Sequence, residues 1–244
     1  MKQKIKHNNA FTLAEVLITL GIIGVVAAVT MPTLISNYQK AYTVNKIKKN
    51  IAIFSQAIQR SFADEQGFFD WDKSIVTGTD VDPEVKLQYS RDTLAKRIVP
   101  YLNVSRDCVK NPELDCFPDP VYFLNGQQIG GAKNYDKNRY SLILSDGTPV
   151  TMALSTVGTD NTITILFDVN GPQRPNTIGK DIFEIKFSSK GECLVIKTAH
   201  SYTRESLLSK GASYSCNKEA YMPGFRCIDL IIKDGWKISD DYPW

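Results

Sequence analysis

The sequence predicts an α+β protein in which one long N-terminal helix packs, along its second half, on an antiparallel β-sheet. Three observations predict it. Residues 11–36, FTLAEVLITLGIIGVVAAVTMPTLIS, form the longest apolar run and hold one charge, Glu15. That run passes directly into an amphipathic stretch where Ile47, Ile51, Phe54, Ile58 and Phe62 recur at helical spacing. From Val121 onward, short β-branched and aromatic runs alternate with Asp-Gly, Asn-Gly and Gly turns.

The first element is long enough to span a bilayer as a tilted helix, since residues 11–35 number 25. Glu15 is its anomaly. A carboxylate in a membrane helix costs about 2.5–3.5 kcal/mol near the centre and less near an end, and it calls for a partner. The helix N-terminus is one partner, because its dipole favours an anion. Gly21, Gly24 and Pro32 lie in the same segment. Glycines permit close helix packing and proline removes a backbone donor, so ordinary membrane tolerance and local melting both fit. A secretory signal would have an apolar core of only about 7–15 residues, shorter than this run.

The junction Ala10-Phe11-Thr12-Leu13-Ala14-Glu15-Val16-Leu17 resembles the processing and methylation signal of type IV pilins and type II secretion pseudopilins. The resemblance implies a leader over residues 1–10, cleavage between Ala10 and Phe11 by a prepilin peptidase, and N-methylation of Phe11. It also implies that Glu15, the fifth mature residue, pairs with the Phe11 amine of a neighbouring subunit during assembly. The family prefers Gly before the cut. Ala10 is the next smallest side chain, and cleavage is expected to survive at a lower rate.

The fold implied is pilin-like. Residues 11–36 would be the transmembrane and assembly helix, 37–63 its amphipathic continuation, and 64–244 an extracytoplasmic globular domain. The function implied is a structural subunit of a type IV pilus-like filament or a secretion pseudopilus. Its partners would be the prepilin peptidase, other pilin or pseudopilin subunits, and an inner-membrane assembly platform with its ATPase. The chain would cross the inner membrane once, N-terminus in the cytoplasm and body outside it. Two alternatives stand beside this: a membrane-tethered binding or adhesion domain that never polymerises, and a DNA-uptake minor pilin.

Charge bears on topology and partners. The formal net charge is +3, and Lys2, Lys4 and Lys6 in the leader account for all of it, which suits a cytoplasmic N-terminus. The neutral body gives no global electrostatic case for nucleic acid.

Five cysteines, Cys108, Cys116, Cys193, Cys216 and Cys227, all lie in the body. Outside the cytoplasm they meet an oxidising compartment. Cys108 and Cys116 bracket VKNPELD, and Cys216 and Cys227 bracket NKEAYMPGFR. Local bridges within these pairs are the simplest expectation, leaving Cys193 over, although spacing does not dictate connectivity. There is no CxxC pair, and His200 is the sole histidine after the leader, so thiolate metal ligation is not expected.

Along the chain, the first helix is expected over about 12–63, some 75–80 Å at 1.5 Å per residue, with Lys40, Lys46, Lys48, Lys49 and Arg60 as polar surface. Residues 64–90, with Asp70, Asp72, Asp80, Asp82 and Glu84, suggest an acidic irregular segment. A second helix is expected over 92–102, capped by Ser90 or Asp92, with Leu94, Ile98 and Leu102 inward and Pro100 distorting its last turn. Strands are expected at VYFLNG, on both sides of Asp146-Gly147, and in TITILFDVNG, DIFEIKFSSKG and ECLVIKT. The alternation over 182–187 suits a sheet with one covered face. Residues 227–233 fit a short helix stopped by Gly235, or a strand. Trp236, Tyr242 and Trp244 form a terminal aromatic cluster, for the core or for a partner.

One body segment suggests a ligand. FDVNG followed by PN and GKD resembles a strand–loop–strand of pseudopilin-type proteins, some of which hold calcium in a nearby loop. Asp168, Asn170 and Asp181 offer the hard oxygens that Ca²⁺ takes. The twelve-residue EF-hand pattern is absent, and Asp and Asn beside Gly and Pro also make ordinary turns. No other cofactor is expected. GxSxG, HExxH and GxxxxGK[ST] are absent, and a non-enzymatic chain is expected.

Overall fold

The computed structural model describes residues 12–64, 71–130, 134–157, 160–190, 193–196 and 202–244. The chain forms two compact units, Met1–Tyr42 and Thr43–Trp244. Helix α1 is a single 52-residue element, Leu13–Asp64, in agreement with the expected 12–63. No glycine or proline interrupts it after Pro32, which lies inside the helix.

In the second unit, α1 buries one face made of Val44, Ile47, Ile51, Phe54, Ala57 and Ile58, with Asn50 and Ser61 on the same side. Phe62 departs from the expected stripe and is 41% exposed. Steps of four, three and four lead from Ile47 to Ile58. A 3.6-residue helix then brings the third residue on, Ser61, to the buried line rather than the fourth.

The acidic segment is more ordered than expected. Asp72 caps α2 (Lys73–Thr77) through a 2.8 Å bond from Ser74 N. Asp82 caps α3 (Pro83–Arg97), accepting from Glu84 N at 2.8 Å, with Pro83 in the first turn. This corrects the expected 92–102. The Asp-Pro-Glu start is a helix N-terminus, and Pro100 falls beyond the helix in a 3₁₀ turn, Val99–Tyr101. Leu94, Ile98 and Leu102 are buried as expected.

Six strands form one antiparallel sheet in chain order: β1 (Val104–Asp107), β2 (Tyr140–Leu144), β3 (Pro149–Val157), β4 (Asp160–Asp168), β5 (Ile182–Lys190) and β6 (Cys193–Ile196). The β2–β3 hairpin turns at Asp146-Gly147, where Gly147 has φ 83°. Strand β1 was not expected, being a short polar edge with a register shift between Val104 and Arg106. VYFLNG does not join the sheet. Gly126, at φ 87°, folds that segment back on itself, Phe123 N donates to Gln127 O at 2.8 Å, and Tyr122 makes only isolated bridges.

The core joins α1 to one face of the sheet through Phe54, Ile58, Met152, Ile165, Phe167, Phe183, Ile185 and Phe187. In β4–β5 the register places Phe167 opposite Phe183 and Ile165 opposite Ile185. The second face is not bare, contrary to the one-face expectation. Leu166 and Ile182 point there and pack with Phe117, Val121, Ile178 and Phe225 from the connecting segments.

Both expected disulfides are present. Cys108–Cys116 spans 6.0 Å between Cα atoms and Cys216–Cys227 spans 4.5 Å. The described structure places the backbone of Cys193 in β6 and does not extend to its thiol. The short helix α4 (Asn134–Asn138) precedes β2, and after β6 come helix α5 (Arg204–Leu207), a parallel pair β7 (Tyr214–Ser215) and β8 (Met222–Pro223), and helix α6 (Cys227–Lys233). Residues 227–233 are therefore helical. Arg204 ties the tail together, donating to Asp234 Oδ1 at 2.7 Å and to Asp241 Oδ1 at 2.7 Å. Tyr242 is buried, and its hydroxyl donates to Gly179 O at 2.5 Å.

Candidate functional site

Two places in the chain carry residues whose arrangement the fold alone does not require. The first is the N-terminal part of α1. Ala10 and Phe11 lie outside the described residues. Thr12 and Glu15 form a reciprocal capping box: Thr12 N and Thr12 Oγ1 each donate to Glu15 Oε2 at 2.9 Å, and Glu15 N donates to Thr12 Oγ1 at 3.3 Å. Both bonds to the carboxylate fall on the same oxygen.

From Val16 to Ile35 the helix presents apolar residues on every side. Leu17, Leu20, Ile23, Val26 and Leu34 are exposed in the single chain, and the helix is long and apolar enough to cross a membrane. Thr19 and Thr30 hide their hydroxyls on their own backbone, at Val16 O (3.0 Å) and Val26 O (2.8 Å). A Cβ built on Gly21 or Gly24 meets nothing within 4 Å. Neither glycine serves packing within this chain. A helix apolar on every face is at home in lipid or in a bundle of its own kind.

The second place is the loop from the end of β4 to the start of β5. The structure brings together the three residues expected there. Asn170 N donates to Asp168 Oδ1 at 3.0 Å, and Asn170 Nδ2 donates to Asp181 Oδ2 at 3.3 Å. One asparagine therefore bridges two carboxyls. Asp181 also accepts from Asn176 N at 2.8 Å and Thr177 N at 2.5 Å. Asp168 and Asp181 are 0% and 4% exposed.

Three buried oxygens of this loop have no hydrogen-bond partner: Asp168 Oδ2, Asn170 Oδ1 and Asn176 Oδ1. Burial, reinforced by the charge of Asp181, pushes the Asp168 carboxyl up to about 8, and burial raises Asp181 as well. With no counter-charge the fold favours the protonated acid at Asp168. That contribution to stability is lost as pH rises from the usual carboxylate range toward about 8. Asn176 is not among the residues that the sequence marks in this loop. Its backbone has φ 51° and it lines an open cleft of about 380 Å³ with Pro172, Asp115, Asp119 and Asp136. A Pro-Asn pair gives no sequence signal for that placement beyond a turn.

The basic face of α1 is partly committed. Lys49 Nζ lies 2.6 Å and Lys46 Nζ 3.8 Å from Asp146 Oδ2 at the β2–β3 turn. Among the described residues no three His, Cys, Asp or Glu side chains cluster as a metal site; the β4–β5 loop combines two carboxyls with two amides.

Residues 5–31 match the prokaryotic N-terminal methylation motif, the type IV pilin and pseudopilin signature, and the match spans Ala10, Phe11 and Glu15. No curated protein and no solved structure matched the chain. The model of a family of unknown function, DUF6613, matches residues 33–244. Behind a pilin-type N-terminal motif, then, the chain belongs to the DUF6613 family.

Proposed function

We propose that the chain is a non-catalytic structural subunit of a type IV pilus-like filament or a type II secretion pseudopilus. A prepilin peptidase removes residues 1–10 and methylates Phe11. The helix waits in the inner membrane with the body outside the cytoplasm, and an assembly platform with its ATPase moves it into a helical bundle. One observation carries this reading: an apolar helix, exposed on every side, that holds a single carboxylate at its start, inside a pilin-type motif. Lipid-to-protein transfer of such a helix costs little, and the carboxylate gives it a specific partner.

A simple tether needs only the apolar length. It has no use for glycines that this chain's own packing does not require, nor for a charge within the apolar run. The body, neutral once the leader's three lysines are set aside, does not favour DNA capture. Cross-linking of intact membranes from the native host tests the proposal. The expected result is a ladder of species containing this chain. Recovery of the monomer alone, with the assembly machinery active, points to the tether instead.

A further inference from the structure

The globular unit carries a basic groove at one end and exposed acids at the other. The groove, of about 280 Å³, lies between α1 and the β2–β3 turn. Ile53, Tyr101 and Leu144 supply its apolar wall, and Lys49, Arg60 and Asp146 its charges. Lys49 and Arg60 against Asp146 leave one positive charge over. Lys46, 3.8 Å from the same carboxylate, makes it two. Arg60 is exposed and meets no acid among the described residues.

The acids stand where α3 begins. Asp80, Asp82 and Glu84 are all exposed within five residues, and Val85 beside them is 54% exposed. This surface cannot reach the groove of its own chain. Trp71 O accepts from Asn161 Nδ2 at 3.2 Å, which ties the segment before α2 to the β3–β4 end of the sheet. Ser145 N donates to Asn103 O at 2.8 Å, which ties the residues after α3 to the β2–β3 end. The 15 residues of α3 hold the two ends about 20 Å apart.

We propose that the acidic start of α3 in one copy of this chain docks in the groove between α1 and the β2–β3 turn of the next copy. Asp80 and Glu84 meet Arg60 and Lys49, and Val85 covers the apolar wall. Opposite charges around an apolar contact fix its register and disfavour wrong partners. The contact is heterologous, because the surface a copy offers differs from the surface it fills. Each added copy keeps one of the two surfaces open, which is how head-to-tail contacts grow a filament when the rotation does not close a ring. The inference rests on the filament reading and adds to it a contact made by the body, independent of the apolar helix.

The test uses the full-length chain in membranes of the native host, with a photo-reactive benzoylphenylalanine in place of Gln56, which is exposed on the groove. Mass spectrometry of the cross-linked dimer reads which peptide was joined. The expected peptide contains residues 78–86 of a second copy. Arg60→Glu and Glu84→Arg each set like charges against each other, and each should lower the yield of that dimer about tenfold or more. Arg60→Glu combined with Glu84→Arg restores opposite charges and should bring the yield back to within about threefold of the parent. A cross-link to another segment or another protein overturns the proposal, as does an undiminished yield in both single variants. Loss in the single variants without recovery in the combination overturns it too, since the two residues would then belong to different contacts. In each of these cases a persisting ladder of copies leaves the filament reading intact. Monomer alone in the parent, with the assembly machinery active, overturns both.

Discussion

Glu15→Ala is expected to reduce incorporation into filaments about a hundredfold or more while leaving the chain in the membrane. Stranding the partner of a pair buried in an apolar bundle costs about 3–5 kcal/mol, and 1.4 kcal/mol is a factor of ten. Membrane insertion moves the other way, because removing a carboxylate makes the helix easier to insert. The capping box supplies a rival account. In that account Glu15 matters only through its bond to Thr12, and its loss costs about 0.5–2 kcal/mol at the helix start. Glu15→Gln separates the two, since glutamine serves in a capping box but carries no charge. If the charge guides assembly, Glu15→Gln fails as Glu15→Ala does, and Thr12→Val, which keeps the carboxylate, still assembles. The readout is the cross-linked ladder, with membrane fractionation as the control.

The second large effect lies in the body. Gly224→Ala is expected to destabilise the globular unit by about 4 kcal/mol or more. Gly224 has φ 98°, and a Cβ there would sit 2.2 Å from Ile178 O and 2.8 Å from Ile178 C. Those atoms are backbone and cannot rotate away. Gly179 faces the same crossing from the other side at φ 86°, and its Cβ would meet Cys227 Sγ at 2.8 Å. Two segments therefore touch backbone to backbone beside the Cys216–Cys227 bridge. The expected fall in Tm is about 10 °C, at roughly 2–4 °C per kcal/mol for a domain of this size. Gly211→Ala is the control, because Gly211 has φ 72° and open space around it. It should cost only the backbone conformation, about 1–2 kcal/mol. Equal losses in the two variants would mean that the crossing at Ile178 is not tight.

Local pattern made much of this legible. Helix α1 follows from its period and from the lack of Gly and Pro after Pro32. The hairpin at Asp146-Gly147, the strands on either side of it, and both disulfides follow from turn chemistry and short spacing. The start of α3 is hidden in the sequence because Asp82 and Glu84 look like loop residues, whereas Asp82-Pro83 is a cap and first turn. VYFLNG has strand composition, and only its own return at Gly126 keeps it out of the sheet. In the β4–β5 loop, Asp168, Asn170 and Asp181 stand out by residue type. Asn176 does not, because its buried amide and its unpartnered oxygen are products of the fold. Nor does the sequence show that Gly224 meets Ile178, a contact across 46 residues.

The central claim is that this chain is processed as a pilin-type subunit, and the most direct measurement is the N-terminal mass of the mature protein from cells with an active prepilin peptidase. The account predicts a chain that begins at Phe11, carries one methyl group on its amine, and lacks residues 1–10. A chain that keeps Met1 through Ala10 in those cells would contradict it. Ala10 would then block the cut, no Phe11 amine would exist for Glu15 to meet, and the helix would be an anchor only.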